Sequence, residues 1–365
     1  MNRLIPAIAA IAMISAPVAQ ANELVPATDA SVRIMGRTAR TDGTVTMAFP
    51  GIETVLRFSG SSFVKMSGEV LNGEGWFNVY IDGKALPKVQ IPQGEYEVTL
   101  ADNLDKNAEH TLRIVRRTEA WQGIVKLEKF TLETGAQKLS PAPLPQRKIM
   151  AIGDSITCGQ NTEYTSAELA GNQSANAELA YGWCLAKDFD AQLNLVSYGG
   201  KGLLRDWQGL ATEVTIPQLF ERSLPDDPSS SWDHSAYTPD LILICVGQND
   251  YNNAYIGAWD YAQAYVQFID RVHALHPMAK IIIMSSPMAE RSRTDGTQPR
   301  NAIHEVALSL VQQNYLKKGE TFVTPIFMNQ NNGTELDSHP IGPQQQAIAD
   351  ELKPIIKKLT GWNSK

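Results

Sequence analysis

Five short, continuously apolar runs between residues 148 and 326 constrain this chain more than any other feature of its sequence. They are 148–152, 193–197, 240–246, 280–284 and 321–326. Amphipathic stretches with helical spacing alternate with them at about 181–190, 257–275, 299–317 and 343–358. A strand that is apolar on both faces has no solvent side, so it belongs in a sheet covered by helices front and back. Alternation of such strands with helices predicts a parallel sheet between two helical layers. In an open sheet of this kind, functional residues collect at the carboxyl ends of the strands.

The texture upstream is different. Residues 22 to about 138 hold short alternating segments such as 45–49, 54–58, 77–81, 97–100 and 112–115, with no helical pattern of useful length. Asp42-Gly43, Pro50-Gly51, Asn72-Gly73 and Asp82-Gly83 separate them as turn signals, and Asp82-Gly83 reads as a hairpin. Many short strands at regular spacing predict an all-β sandwich or jelly roll. Between the two regions, Pro141, Pro143 and Pro145 hold the backbone extended. The expected division is therefore a β domain at 22–138, a stiff linker at 139–147 and an α/β domain at 148–365.

Arg3, an apolar stretch over 4–18 and Ala19-Gln20-Ala21 read as an export signal that is cut before Asn22. No later run is long and apolar enough to span a membrane. The net charge of −7 argues against nucleic acid or an anionic membrane as the main partner. Export permits a disulfide. Cys245 lies in an apolar run, which leaves Cys158 and Cys184 as the pair that the sequence neither joins nor separates. The cysteine spacing does not resemble a zinc site.

Four elements carry chemistry. Gly153-Asp154-Ser155 follows the first apolar run directly, where a serine entering a turn projects its hydroxyl at the sheet edge. It is not a G-x-S-x-G elbow, because Thr157 stands in place of the second glycine. Ser197-Tyr198-Gly199-Gly200 follows the second run and can offer a backbone N–H to a developing oxyanion. Gly247-Gln248-Asn249 follows the third and can add a side-chain amide. Asp337-Ser338-His339 precedes the last helix, and His339 can take the serine proton and return it to a leaving group. Three of the four stand after successive parallel strands, whose ends lie side by side.

This pattern resembles the SGNH, or GDSL-type, hydrolases, which supply Ser, Gly, Asn and His in that chain order. Gly36-Arg37-Thr38, Phe49-Pro50-Gly51, 79–83, 153–159, 227–233 and 237–240 are similar to the two-domain carbohydrate esterases of family two. The likeness covers essentially the whole chain after residue 21. It implies a β jelly roll joined to a three-layer α/β/α sandwich with flavodoxin-like strand order. It also implies Ser155 as nucleophile, His339 as base, and an oxyanion hole formed by Ser155 N–H, Gly200 N–H and the Asn249 side chain. The implied activity is release of acetate from O-acetylated polysaccharide such as xylan or glucomannan, with no metal or cofactor. One position departs from the pattern. Many SGNH enzymes carry the acid three residues before the histidine, and Leu336 stands there. Asp337 is two before, so a partial or absent role for it is expected, with Asp337→Asn costing far less activity than loss of His339.

Trp207 is the expected aromatic platform for a sugar ring, Trp183 and Trp232 are further candidates, and Asp154 is a second candidate substrate contact. The chain is expected to act as a monomer. The competing readings are an esterase for lipid, thioester or peptidoglycan O-acetyl groups, a non-catalytic carbohydrate-binding protein, and a structural surface protein. No apolar insertion of the kind a lipase lid needs is present, and the last two would not need Ser155 and His339.

Overall fold

The computed structural model describes residues 21–211, 214–253, 255–288 and 300–365. Residues 1–20 of the expected export signal lie outside the described residues. No described helix is long and apolar enough to cross a membrane.

The first part is antiparallel throughout. Strands β1 (Glu23–Pro26), β2 (Val32–Met35), β3 (Ala39–Thr41), β4 (Thr44–Met47), β5 (Glu53–Ser59), β6 (Val64–Ile81), β7 (Lys84–Ala101), β8 (Glu109–Arg116), β9 (Gly123–Leu132) and β10 (Gln137–Leu139) join in one hydrogen-bonded network. Asp42-Gly43 closes the β3–β4 hairpin and Asp82-Gly83 the β6–β7 hairpin, with all four residues at positive φ. Two successive left-handed residues match the twist of the flanking strands. Asn72-Gly73 is not the inter-strand turn expected from the sequence. It lies inside β6, where the register against β7 and β9 slips. Gly73 has φ 62°, and a Cβ there would stand 2.2 Å from the Gln122 carbonyl oxygen. The glycine therefore bends the strand and lets the short helical turn Ala120–Gln122 approach it.

The second part holds β11 (Arg147–Gly153), β12 (Ala191–Ser197), β13 (Leu241–Cys245), β14 (Lys280–Met284) and β15 (Val323–Ile326) in the order β12-β11-β13-β14-β15, all parallel. The helices are α1 (Ser155–Cys158), α2 (Tyr181–Phe189), α3 (Ile216–Phe220), α4 (Ala258–Leu275), α5 (Arg300–Leu316) and α6 (Gly342–Thr360). Strand alternation sorts their partners. Ile149, Ala151, Leu241 and Leu243 pack with α2 and α6, whereas Met150, Ile152, Ile242 and Ile244 pack with α4 and α5. Each fully buried aliphatic side chain of this set contributes roughly 1.5–3 kcal/mol, which fixes the sheet between its two helical layers. The apolar cluster on the α4–α5 side is continuous with the core of the β part.

Polar contacts also tie the two parts. Arg113 pairs with Glu178 at 2.7 Å and Arg117 with Glu163 at 2.6 Å. Arg37 is buried and donates to the Phe220 and Arg222 carbonyls, with its guanidinium 4.7 Å from the Trp232 ring. Segment 140–146 is held at Ser140, Ala142 and Pro145 by Arg57, Arg33 and Gln192. Cys158 and Cys184 do not form a disulfide. The Cys158 thiol donates to Ser197 Oγ and the Cys184 thiol to the Leu179 carbonyl.

Candidate active site

β11 ends at Gly153, which lies between Ser197 and Cys245 of the neighbouring strands. A Cβ at Gly153 would meet Thr157 Oγ1 at 2.1 Å and the Cys245 carbonyl oxygen at 2.7 Å, so only glycine lets the chain turn here. Asp154 caps the turn by accepting the Ile156 N–H at 3.1 Å. Ser155 then stands first in α1, where a helix N–H has no acceptor within the helix.

His339 comes from the loop before α6. Ser155 Oγ donates to its Nε2 at 2.9 Å. Nδ1–H donates to Asp337 Oδ1 at 2.6 Å, and the His339 backbone N–H donates to the same oxygen at 2.8 Å. Asp337 thus contacts the ring, although Leu336 and not an acid stands at the family's usual position. The carboxylate reaches the ring from two residues back because the chain curls so that one oxygen takes both donors. Burial works against the Asp337 charge, but the His339 contacts and Asn161 outweigh it and bring the carboxyl down to about 2.

Ser155 and His339 open on a cavity of about 560 Å³ that Gly200, Asn249, Trp207, Tyr198 and Trp121 also line. Among the described residues Gly200 N–H meets no acceptor, and Gly200 has φ 77°. A Cβ there would stand 2.7 Å from the Trp207 ring, so glycine also seats the tryptophan against the loop. Asn249 donates its amide to the Lys201 carbonyl at 2.9 Å and to Asp154 Oδ2 at 3.3 Å.

Asp154 is not a substrate contact. It is fully buried, and its carboxylate is turned to Ile156 and Asn249 beneath the cavity. Burial raises its carboxyl to about 7, with Asp250 and Glu119 adding to the rise and Ile156 N–H and His339 opposing it. Trp183 and Trp232 are not at the site either. Trp183 is buried and donates to the Gly51 carbonyl, and Trp232 stacks on Arg37 between the two parts. Trp207 does line the cavity and is half exposed.

Two residues that the sequence did not single out come from the β part. Trp121, also half exposed, lines the cavity. Glu119 is buried beneath it and accepts the Gly199 N–H. Nothing local marks either residue. Their importance follows from the packing of the two parts. Among the described residues no group of three or more His, Cys, Asp or Glu is placed to hold a metal ion.

Residues 34–143 match the family model described as "Carbohydrate esterase 2 N-terminal", and residues 151–340 match "GDSL-like Lipase/Acylhydrolase family". A Cellvibrio japonicus protein named "Acetylxylan esterase / glucomannan deacetylase" is 30% identical over 93% of this chain and 91% of its own length. The chain belongs to the family two carbohydrate esterases. A solved family two esterase from Cellvibrio japonicus superposes with a TM-score of 0.84 at 30% identity, over 94% of this chain and 99% of that one. Another, from Clostridium thermocellum in complex with cellohexaose, has a TM-score of 0.81 at 27% identity, over 91% of this chain and 99% of that one.

Proposed function

We propose that this chain is a serine esterase that releases acetate from O-acetylated plant-type polysaccharide such as xylan or glucomannan. The observation that carries this reading is the continuous hydrogen-bonded line Asp337–His339–Ser155 opening on a cavity walled by tryptophan. Ser155 Oγ attacks the acetyl carbonyl while its proton passes to His339 Nε2. The Asp337 carboxylate stabilises the imidazolium that results. The N–H groups of Ser155 and Gly200 and the Asn249 amide hold the oxyanion. An oxyanion entering the hole takes over the long Asn249 contact to Asp154, which is the weaker of the two that the amide makes. The tetrahedral species collapses, the C–O bond to the sugar breaks, and His339 returns the proton to the sugar oxygen. Water attacks the acetyl-serine by the same route and frees acetate.

Trp207 and Trp121 supply flat apolar surfaces for sugar rings on the cavity wall. Residues 1–21 direct export, which suits a polymeric substrate, and the β part is a jelly roll that completes the site. A second reading is occupancy of the same cavity by an unacetylated β-glucan chain. The cellohexaose complex of the Clostridium thermocellum relative favours it.

The test is acetate release by the mature chain from acetylated xylan and acetylated glucomannan, beside 4-nitrophenyl acetate and butyrate, with Ser155→Ala as control. Serine-dependent release from polymer, with acetate preferred over butyrate, is the expected result. Activity on small esters alone would remove the polysaccharide assignment, and no Ser155-dependent hydrolysis would remove the esterase itself.

A further inference from the structure

The β part contributes more than a wall. Arg117, Thr118 and Glu119 follow β8 into the turn Ala120–Gln122 and are all buried, with the Arg117 carbonyl accepting Ala177 N–H from the α/β part. Glu119 thereby reaches under the loop after β12. Its Oε2 accepts Gly199 N–H. Gly199 is closely lined on this side, where a Cβ would stand 2.9 Å from Glu119 Oε1 and 3.0 Å from Gln160 Oε1. On the other side of the dipeptide, Gly200 is pressed against Trp207. Trp207 N–H in turn donates to the Gly200 carbonyl at 2.8 Å. The Gly199-Gly200 peptide is thus clamped between a carboxyl group from one part and a tryptophan from the other. One N–H of the dipeptide is engaged by Glu119, and the next belongs to a residue that lines the cavity with Ser155 and meets no acceptor among the described residues.

We propose that Glu119 is a positioning residue for the oxyanion hole: by accepting Gly199 N–H it orients the following peptide so that Gly200 N–H points at the reacting carbonyl. This rests on the esterase reading above. It assigns the β part a share in catalysis that does not depend on its binding any glycan. The function required of Glu119 is that of a hydrogen-bond acceptor of the right length. Burial drives its carboxyl group above the usual range, while Gly199 N–H pulls the other way. Any side chain of this length that keeps an oxygen acceptor for Gly199 N–H meets the requirement.

The experiment compares Glu119→Gln with Glu119→Leu in the full mature chain. Both fill the space, and only glutamine keeps an acceptor for Gly199. Turnover of 4-nitrophenyl acetate is expressed per active Ser155, counted by titration with an irreversible serine reagent. Misplacing a catalytic group by about 1 Å costs on the order of 10²-fold. Glu119→Leu is therefore expected to lower kcat by roughly that factor, with KM for the small ester within about two-fold. Glu119→Gln is expected to retain kcat within about three-fold, since it keeps the acceptor. If Glu119 only braces the two parts, Glu119→Leu will lower the number of titrated sites and leave kcat per site unchanged, which overturns the proposal. Equal loss in both variants also overturns it. Should Glu119→Leu fail to fold, Gly199→Ala reads the same contact from the other side: a fall in kcat at constant KM supports the clamp, and unchanged kcat defeats it. Wild-type hydrolysis that Ser155→Ala does not abolish would sink the esterase reading itself, an outcome distinct from an active wild type with an indifferent Glu119.

Discussion

Removing the charge of Asp337 while keeping its shape asks whether this site runs on three residues or two. In Asp337→Asn the amide oxygen can still accept from His339 Nδ1–H and from the His339 backbone N–H, so the ring should stay in place. What disappears is the anion that faces the imidazolium during attack. At a charge separation of ~4 Å and an effective dielectric constant near 20, the pair is worth about 4 kcal/mol. Asp337 keeps 27% of its side chain in solvent, and screening at a partly exposed pair reduces the figure. A range of about 2–4 kcal/mol corresponds to a loss of roughly 30- to 1,000-fold in kcat. The assay is kcat on 4-nitrophenyl acetate at neutral pH, per titrated Ser155, with His339→Ala alongside. A kcat within three-fold of wild type would refute the reasoning and return the site to a Ser–His pair. The carboxyl of Asp337 sits at about 2, below its ordinary 3.8. Its contribution to stability is thus fully present above about 4 and is lost only as pH falls through about 2. Loss of activity in mild acid is therefore not caused by neutralisation of Asp337.

Other substitutions probe the wall and the floor of the cavity. Trp207→Ala and Trp121→Ala should each raise KM on acetylated polysaccharide several-fold, on the order of the 0.5–1.5 kcal/mol that aromatic contacts supply beyond burial. KM on 4-nitrophenyl acetate should stay unchanged, and equal effects on both substrates would remove the platform role. Asp154 behaves oppositely to Asp337, with its carboxyl raised from 3.8 to about 7. Ionising it in the fold is unfavourable, so its stabilising effect is present below about pH 4 and declines as pH rises through 7. The displacement sets an upper bound of about 4 kcal/mol on that decline. Thermal melts should show wild type losing stability relative to Asp154→Asn between pH 5 and pH 8. Parallel curves would mean that the Asp154 carboxyl is not raised.

Period and run length made the parallel sheet and its helices readable, because burial on both faces leaves no polar positions in strands such as Leu241–Cys245. The helix expected at 343–358 is observed as Gly342–Thr360, and that at 257–275 as Ala258–Leu275. Ser155, Gly200 and Asn249 line one cavity because each follows such a strand. Three features were not readable in this way. Asn72-Gly73 has the composition of a turn, but the glycine serves a close approach to Gln122 within a continuous strand. Asp337 has no favoured spacing to His339, and its contact depends on how the loop curls. Glu119 and Trp121 occupy an unremarkable segment after β8, and only the docking of the two parts brings them to Ser155. Conversely, Trp183 and Trp232 were drawn to the site by residue type and proved to be packed elsewhere.

The central claim is that Ser155 carries the acetyl group between sugar and water. Acid quenching of the enzyme during turnover of an acetylated oligosaccharide, followed by peptide mass analysis, reads that step directly. An acetyl group is expected on the peptide that begins after Lys148 and contains Ser155, with none in His339→Ala mixed with the same substrate. Sustained acetate release with no acetyl group trapped at Ser155, or with the group on another residue, would contradict it.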